Sequence, residues 1–329
     1  MKAFVLTSFD HAPEFADVPE PEPGPGEIRV RVHVTSVNPV DHMIRSGFFR
    51  AAQEYRFPAV FGRDLAGVVQ AVGDGVTRFA EGDEVYGFVK RDYIGDGTFA
   101  EYVVVPEDFF VAARPSRLSL QQAGTLAQAG ITALECVEAV PSDPGQVVVV
   151  NGATGGLGTF AVQIAKARGA GVVATARSGG RAELLRSLGA DHVVDPTQGD
   201  LVKLVREAVP EGADGFVDFV KHVDSAVIGH GEDDAHREFA RLCHGILREG
   251  GRAASVTNGG VPELMGPIGF ANVHSTPSPA NLARLGTLVD SGGVTPVIMD
   301  TFSFDDIEAA FDRLLAGGIA GKIAVSLGG

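Results

Sequence analysis

The sequence predicts an α/β protein in which a doubly wound parallel sheet is joined to a smaller, mainly β module. Three observations carry that prediction. Residues 147–158, VVVVNGATGGLG, read as a strand buried on both faces that stops at a loop of small residues. Beyond the loop, Leu157, Phe160, Ala161, Ile164 and Ala165 recur at helical spacing until Gly169, a natural helix stop. Further strand-like runs at 172–175, 190–194, 216–220 and 252–256 alternate with Leu-rich helical segments, the βαβ rhythm of a parallel sheet.

Taken in order, residues 1–122 are mainly β. The run IRVRVHV at 28–34 alternates apolar and polar positions, 65–72 reads LAGVVQAV, and 73–82 is dense in turn formers. The proline-rich PEPEPGPGE at 19–27 is a surface turn ahead of a strand. A helix is expected over 121–140, then the parallel-sheet region. The tail breaks the βαβ rhythm, with helices near 281–289 and 304–316 and a last strand at 322–327, and is expected to return to the first module.

Composition narrows the function classes. A chain of 329 residues has room for two domains, and it contains no stretch resembling a transmembrane span. The opening MKAFVLTSFDHAPEF fits a strand better than a signal peptide, so a cytoplasmic protein is expected. Cys136 and Cys243 are the only cysteines, too few for a disulfide framework or a thiolate metal cluster. A net charge of −15 argues against nonspecific binding to nucleic acid or an anionic membrane surface. An anionic cofactor requires only a local positive pocket. The glycine loop supplies the backbone for one: Ala153, Thr154, Gly155, Gly156 and Leu157 lie where N–H groups and a helix dipole would face a pyrophosphate. In the GxGxxG frame, Ala153 replaces the first glycine.

The ordered blocks VNPVDHMIRSG (37–47), FGRDLAGVVQAVGDGVTRFAEGDEVYG (61–87), GTFAEYVVV (97–105), GITA (130–133), ATGGLG, LGADHVVD (188–195), EGGR (249–252) and GKI (321–323) resemble the medium-chain dehydrogenase/reductase superfamily. Within it they are most similar to the zinc-independent quinone oxidoreductase and enoyl reductase branch. The resemblance implies a GroES-like catalytic domain built from 1–122 and 273–329, a Rossmann domain over 123–272, and a cofactor cleft at their junction. Dimer formation through a Rossmann edge strand, here around 267–275, is also implied.

Zinc-dependent relatives carry Cys where this chain has Asn38 and a His-Glu pair where it has Arg63-Asp64, and the loop 87–97 lacks the thiolates of their structural zinc. No metal is therefore expected; His42 reads as a lone packed or solvated histidine. At the end of the second Rossmann strand the chain reads Thr175, Ala176, Arg177, Ser178, without the acid that selects NAD. Arg177 can pair with a 2′-phosphate, Ser178 can hydrogen-bond it and Arg181 is an accessory, so NADPH is the expected cofactor. The resemblance also puts Thr132 and Lys322 on the cofactor side.

At the reaction end the resemblance assigns Asn38, an amide donor for a carbonyl oxygen, and Asp41, an orienting group or a local cap. Relatives with a catalytic Tyr carry it just after the position of Gly47; here Phe48 and Phe49 follow, and Tyr55 is the nearest substitute. Phe48 and Phe49 suit either flat substrate walls or core packing, and Gln128 either the nicotinamide or a solvated helix face. The expected activity is NADPH-dependent reduction of a quinone or an α,β-unsaturated carbonyl compound by hydride transfer. A tailoring reductase of a bulky biosynthetic intermediate and a non-catalytic NADPH sensor are the alternatives. One stretch departs from the family: 221–239, KHVDSAVIGHGEDDAHREF, reads as an insertion, either a lid or a solvated surface segment whose histidines His222, His230 and His236 suggest a metal site only weakly.

Overall fold

A computed structural model describes residues 1–220 and 232–328. The chain folds into two compact units. The first comprises residues 1–131, 276–292 and 296–329, and the second 132–275 and 293–295. The first division falls at 131/132, inside the helix Ala127–Glu138, rather than at the expected 122/123.

The first unit is organised on the long strand Glu27–Val37, whose Ile28, Val30, Val32 and Val34 face the core while Arg31 faces out. It pairs antiparallel with Asp64–Val72, Tyr102–Pro106 and Lys322–Ser326. The last pairing returns the tail to the first module. Its register sets Ile323 opposite Val37, which brings Lys322 alongside Asn38, 284 positions earlier in the chain. The helix expected over 121–140 is two helices, Leu120–Ala123 and Ala127–Glu138. The break has a packing cause: a Cβ at Gly124 would lie 2.6 Å from Val34 Cγ1 and 2.7 Å from its carbonyl oxygen, so backbone approaches strand here.

The second unit holds six parallel strands, Val147–Asn151, Gly171–Thr175, His192–Val194, Ala213–Asp218, Leu247–Ser255 and Gly269–Asn272. Numbered in chain order they lie 3-2-1-4-5-6, the doubly wound order with its switch point between the first and fourth strands. Val148, Val149 and Val150 are fully buried, as a strand covered on both faces requires. Gly269–Asn272 forms one edge of the sheet. Of the 221–239 insertion, residues 221–231, with His222 and His230, lie outside the described residues; His236 stands on the helix Glu232–Ile246. No helix among the described residues is long and apolar enough to cross a membrane.

Candidate active site

In the first unit, the chain gathers Ser36, Asn38, Asp41, Asp64 and Lys322 at the end of the strand Glu27–Val37, each at most 4% exposed. Asp64 is the hub. Its Oδ2 accepts from Ser36 Oγ, from Asn38 Nδ2 at 3.1 Å and from Lys322 Nζ at 3.4 Å, and its Oδ1 accepts from Gln128 N–H at 2.8 Å. That last bond comes from the first turn of the helix Ala127–Glu138, where free backbone N–H groups favour a carboxylate. Lys322 Nζ also donates to Asn38 Oδ1, fixing which way the amide points. The amide hydrogens of Asn38 are thereby directed at Asp64 and Ser36, so the cluster itself takes up the donor expected for a substrate carbonyl.

Asp41 closes the first turn of the helix Pro39–Arg45: Asn38 N–H donates to its Oδ2 at 2.8 Å. Its other oxygen is buried without a hydrogen-bond partner. Burial pushes its carboxyl up to about 7, reinforced by the charge of Asp64 and opposed by Arg63 and the Asn38 bonds. Tyr55 donates to the Ile44 carbonyl at 3.0 Å and sits between Phe9 and Phe57, so its hydroxyl proton is already engaged. Phe49 packs on the core cluster around Ile44 and Phe61, whereas Phe48 is 51% exposed and meets Phe49 edge-on. Gln128 contributes to the cluster through its backbone.

The second unit presents the glycine loop at the carboxyl ends of the central strands. Gly152 takes φ +75°, so the left-handed turn residue stands one position before Ala153. A Cβ on Gly158 would lie 2.3 Å from the Gly152 carbonyl, which is why helix and loop can close together only with glycine there. Gly155 precedes the helix Gly156–Ala167 without any side-chain cap, which leaves the first-turn N–H groups free for an anion. Thr175 Oγ1 accepts from Gly152 N–H at 2.9 Å and donates to Asn151 Oδ1, and Asn151 Nδ2 donates to Asp218 at 3.0 Å. This chain of bonds ties the ends of three neighbouring strands beneath the loop.

Arg177 and Ser178 are exposed just beyond the second strand, and Arg177 has no ion pair among the described residues. Thr132 shares a 2.7 Å hydrogen bond with Ser275. One residue escaped the sequence reading. Asp195, at the end of the adjacent strand, accepts from Ser178 N–H at 2.9 Å and from both the N–H and the hydroxyl of Thr197, which holds its carboxyl well below the usual range. A carboxylate does stand beside the Arg177 loop, with three donors already on it. The signal was the last residue of LGADHVVD, a strand that the parallel order places next to Thr175.

The chain matches the alcohol dehydrogenase GroES-like domain over residues 24–116 and the zinc-binding dehydrogenase family over 156–227. It is 35% identical over 297 residues to a 2-methylene-furan-3-one reductase of Solanum lycopersicum, covering 88% of this chain and 69% of that one. The chain belongs to the medium-chain dehydrogenase/reductase superfamily. This medium-chain dehydrogenase/reductase is also 32% identical to a chloroplastic NADPH-dependent alkenal/one oxidoreductase of Arabidopsis thaliana, over 88% of this chain and 69% of the relative. Its fold superposes on a quinone oxidoreductase from Coxiella burnetii with a TM-score of 0.83 at 25% identity, over 99% of both chains.

The zinc in one family's name can be weighed against the residues of this medium-chain dehydrogenase/reductase. Zinc takes thiolate, imidazole or carboxylate donors. Positions 38, 63 and 64 offer an amide, a guanidinium and a carboxylate already holding four donors, with a lysine ammonium packed against it. That donor set does not fit the ion. The described residues also contain no group of three or more His, Cys, Asp or Glu placed to hold a metal.

Proposed function

We propose that the protein catalyses the NADPH-dependent reduction of quinones or α,β-unsaturated carbonyl compounds without a metal. The observation that carries this reading is the Asp64–Lys322–Asn38 cluster. It fills two of the metal-ligand positions, 38 and 64, with a hydrogen-bonded network, in a chain that also carries a dinucleotide cradle. The cofactor supplies the hydride when bound. Of this chain's residues, the glycine loop and the first turn of the helix Gly156–Ala167 receive the pyrophosphate, and Thr132 serves the same site from the second unit. Arg177, with Ser178 and Arg181, receives the 2′-phosphate; Asp195, saturated by Ser178 and Thr197, positions that loop. In the first unit, Asp41 holds a proton up to near neutral pH at a carboxyl shielded from solvent.

The test is oxidation of NADPH, followed by its absorbance, by metal-stripped protein against a panel of quinones and enones. Turnover that survives chelation supports the reading. Tight NADPH binding with no turnover across the panel would replace it with a sensor. The edge strand Gly269–Asn272 supports a further reading, a homodimer joined along that edge. Light scattering checks it: a monomeric mass at micromolar concentration removes it.

A further inference from the structure

Within the first unit, Ile44 and residues 60–63, 89–91 and 93–97 line a pocket whose walls carry Arg63, Lys90 and Arg91 against a single carboxylate, Asp96. We propose that this pocket is an anion subsite that takes the carboxylate group of an acidic unsaturated substrate, with Arg63 as its principal donor. The proposal rests on the reductase reading and names the substrate class.

Three cations around one small pocket are unexpected in a protein of net charge −15. Two of them are occupied. Lys90 Nζ donates to Thr276 Oγ1 at 3.1 Å, and Arg91 Nη2 donates to the Val104 carbonyl at 2.7 Å, while its Nε is buried without a hydrogen-bond partner, 4.0 Å from Asp96. Asp96 in turn takes the Tyr93 hydroxyl. Arg63 is different. It is partly buried, its carbonyl accepts from Val89 N–H, yet among the described residues its guanidinium has neither a hydrogen bond nor an ion pair. Its charge faces Asp41 and Tyr55 only at longer range, and its guanidinium lies 5.9 Å from the Phe88 ring.

A partly buried planar guanidinium without a protein acceptor is suited to a planar, bidentate anion. The space agrees in size: about 30 Å³ is open to the centres of water-sized groups, room for the few heavy atoms of a carboxylate rather than a whole substrate. The walls close in because glycine permits it. A Cβ on Gly97 would lie 2.3 Å from the Phe61 carbonyl, and Gly62, at φ +93°, would meet the Phe99 ring at 2.6 Å. Asp41, held up to about 7 by burial, offers Arg63 no opposing charge below that pH.

The experiment uses the NADPH-loaded protein and two pairs of probes: 3-benzoylacrylate with its ethyl ester for turnover, and the saturated 3-benzoylpropanoate with its ester for binding. The acid is expected to exceed the ester about tenfold or more in kcat/KM and in affinity. Arg63→Met is expected to bring both ratios close to one, Arg63→Lys to restore part of the preference, and Lys90→Gln to weaken it a few fold. Circular dichroism on each variant confirms folding. Equal handling of acid and ester by the unaltered protein overturns the subsite while leaving the reductase reading in place. Selective binding of the saturated acid with no turnover of any enone or quinone upholds the subsite and removes the reductase reading.

Discussion

Substituting Asp41 by Asn tests the chemistry of the buried cluster through stability alone. The folded protein holds the Asp41 proton to about pH 7, whereas an unfolded chain releases it near 3.8. Folding therefore takes up a proton between those values, and stability falls as pH rises through that window, flattening above the folded value. At ~1.4 kcal/mol for each tenfold in proton affinity, the part of the window between pH 5 and pH 8 costs the native protein about 3 kcal/mol. Asn is neutral throughout, and its side-chain oxygen can still accept from Asn38 N–H. The stability of Asp41→Asn relative to the unaltered protein should therefore improve by about 3 kcal/mol from pH 5 to pH 8. Urea unfolding followed by tyrosine fluorescence reads the correct unit, because Tyr55, Tyr86, Tyr93 and Tyr102 all lie in the first unit and the chain has no tryptophan. Carboxylates remote from position 41 are common to both proteins and cancel in the difference. A difference that stays constant from pH 5 to pH 8 would show that Asp41 ionises normally and that the burial argument is wrong.

Lys322→Met removes the ammonium from Asp64 and should lower the stability of the first unit by about 3 kcal/mol, the cost of a broken buried pair; Asp64→Asn in the same chain should recover part of it, both read by urea midpoints. Gly158→Val drives a branched side chain into the Gly152 carbonyl and should abolish nucleotide binding measured calorimetrically. Arg177→Glu should raise the Kd for NADPH by roughly 10- to 100-fold while changing that for NADH little; an unchanged NADPH/NADH preference would remove Arg177 from the cofactor assignment.

The second unit was legible because its fold is written locally. Four consecutive valines, a small-residue loop and an amphipathic helix each declare themselves within a dozen residues, and their repetition marks a doubly wound parallel sheet, whose 3-2-1-4-5-6 order the structure supplies. The first unit was less so. That Gly124 interrupts a helix depends on Val34, and that Asp64 is a hub depends on Lys322, contacts that no local periodicity encodes. An acid inside the apolar run FGRDLAGVV did announce that a partner was needed, without saying which. Asn38 was read as a donor for a substrate carbonyl, whereas its amide hydrogens serve Asp64 and Ser36, and Gln128 entered through a backbone hydrogen no side-chain argument would find. Asp195 was overlooked because its loop was read along the chain, when its neighbour across the sheet decides what charge it meets.

The pairing of Lys322–Ser326 with the strand Glu27–Val37 carries a consequence for the order of synthesis. A nascent chain exposes residues 27–37 and Asp64 early, then makes the whole of the second unit before Lys322 leaves the ribosome. The second unit can reach its native state while the first still lacks the cation that compensates a fully buried carboxylate. The first unit thus waits, with a charged residue in its unfinished interior, for a counterion encoded 258 positions downstream. A chain halted before residue 322 would hold a finished nucleotide-binding unit beside an incomplete one, and cellular proteolysis can distinguish the two.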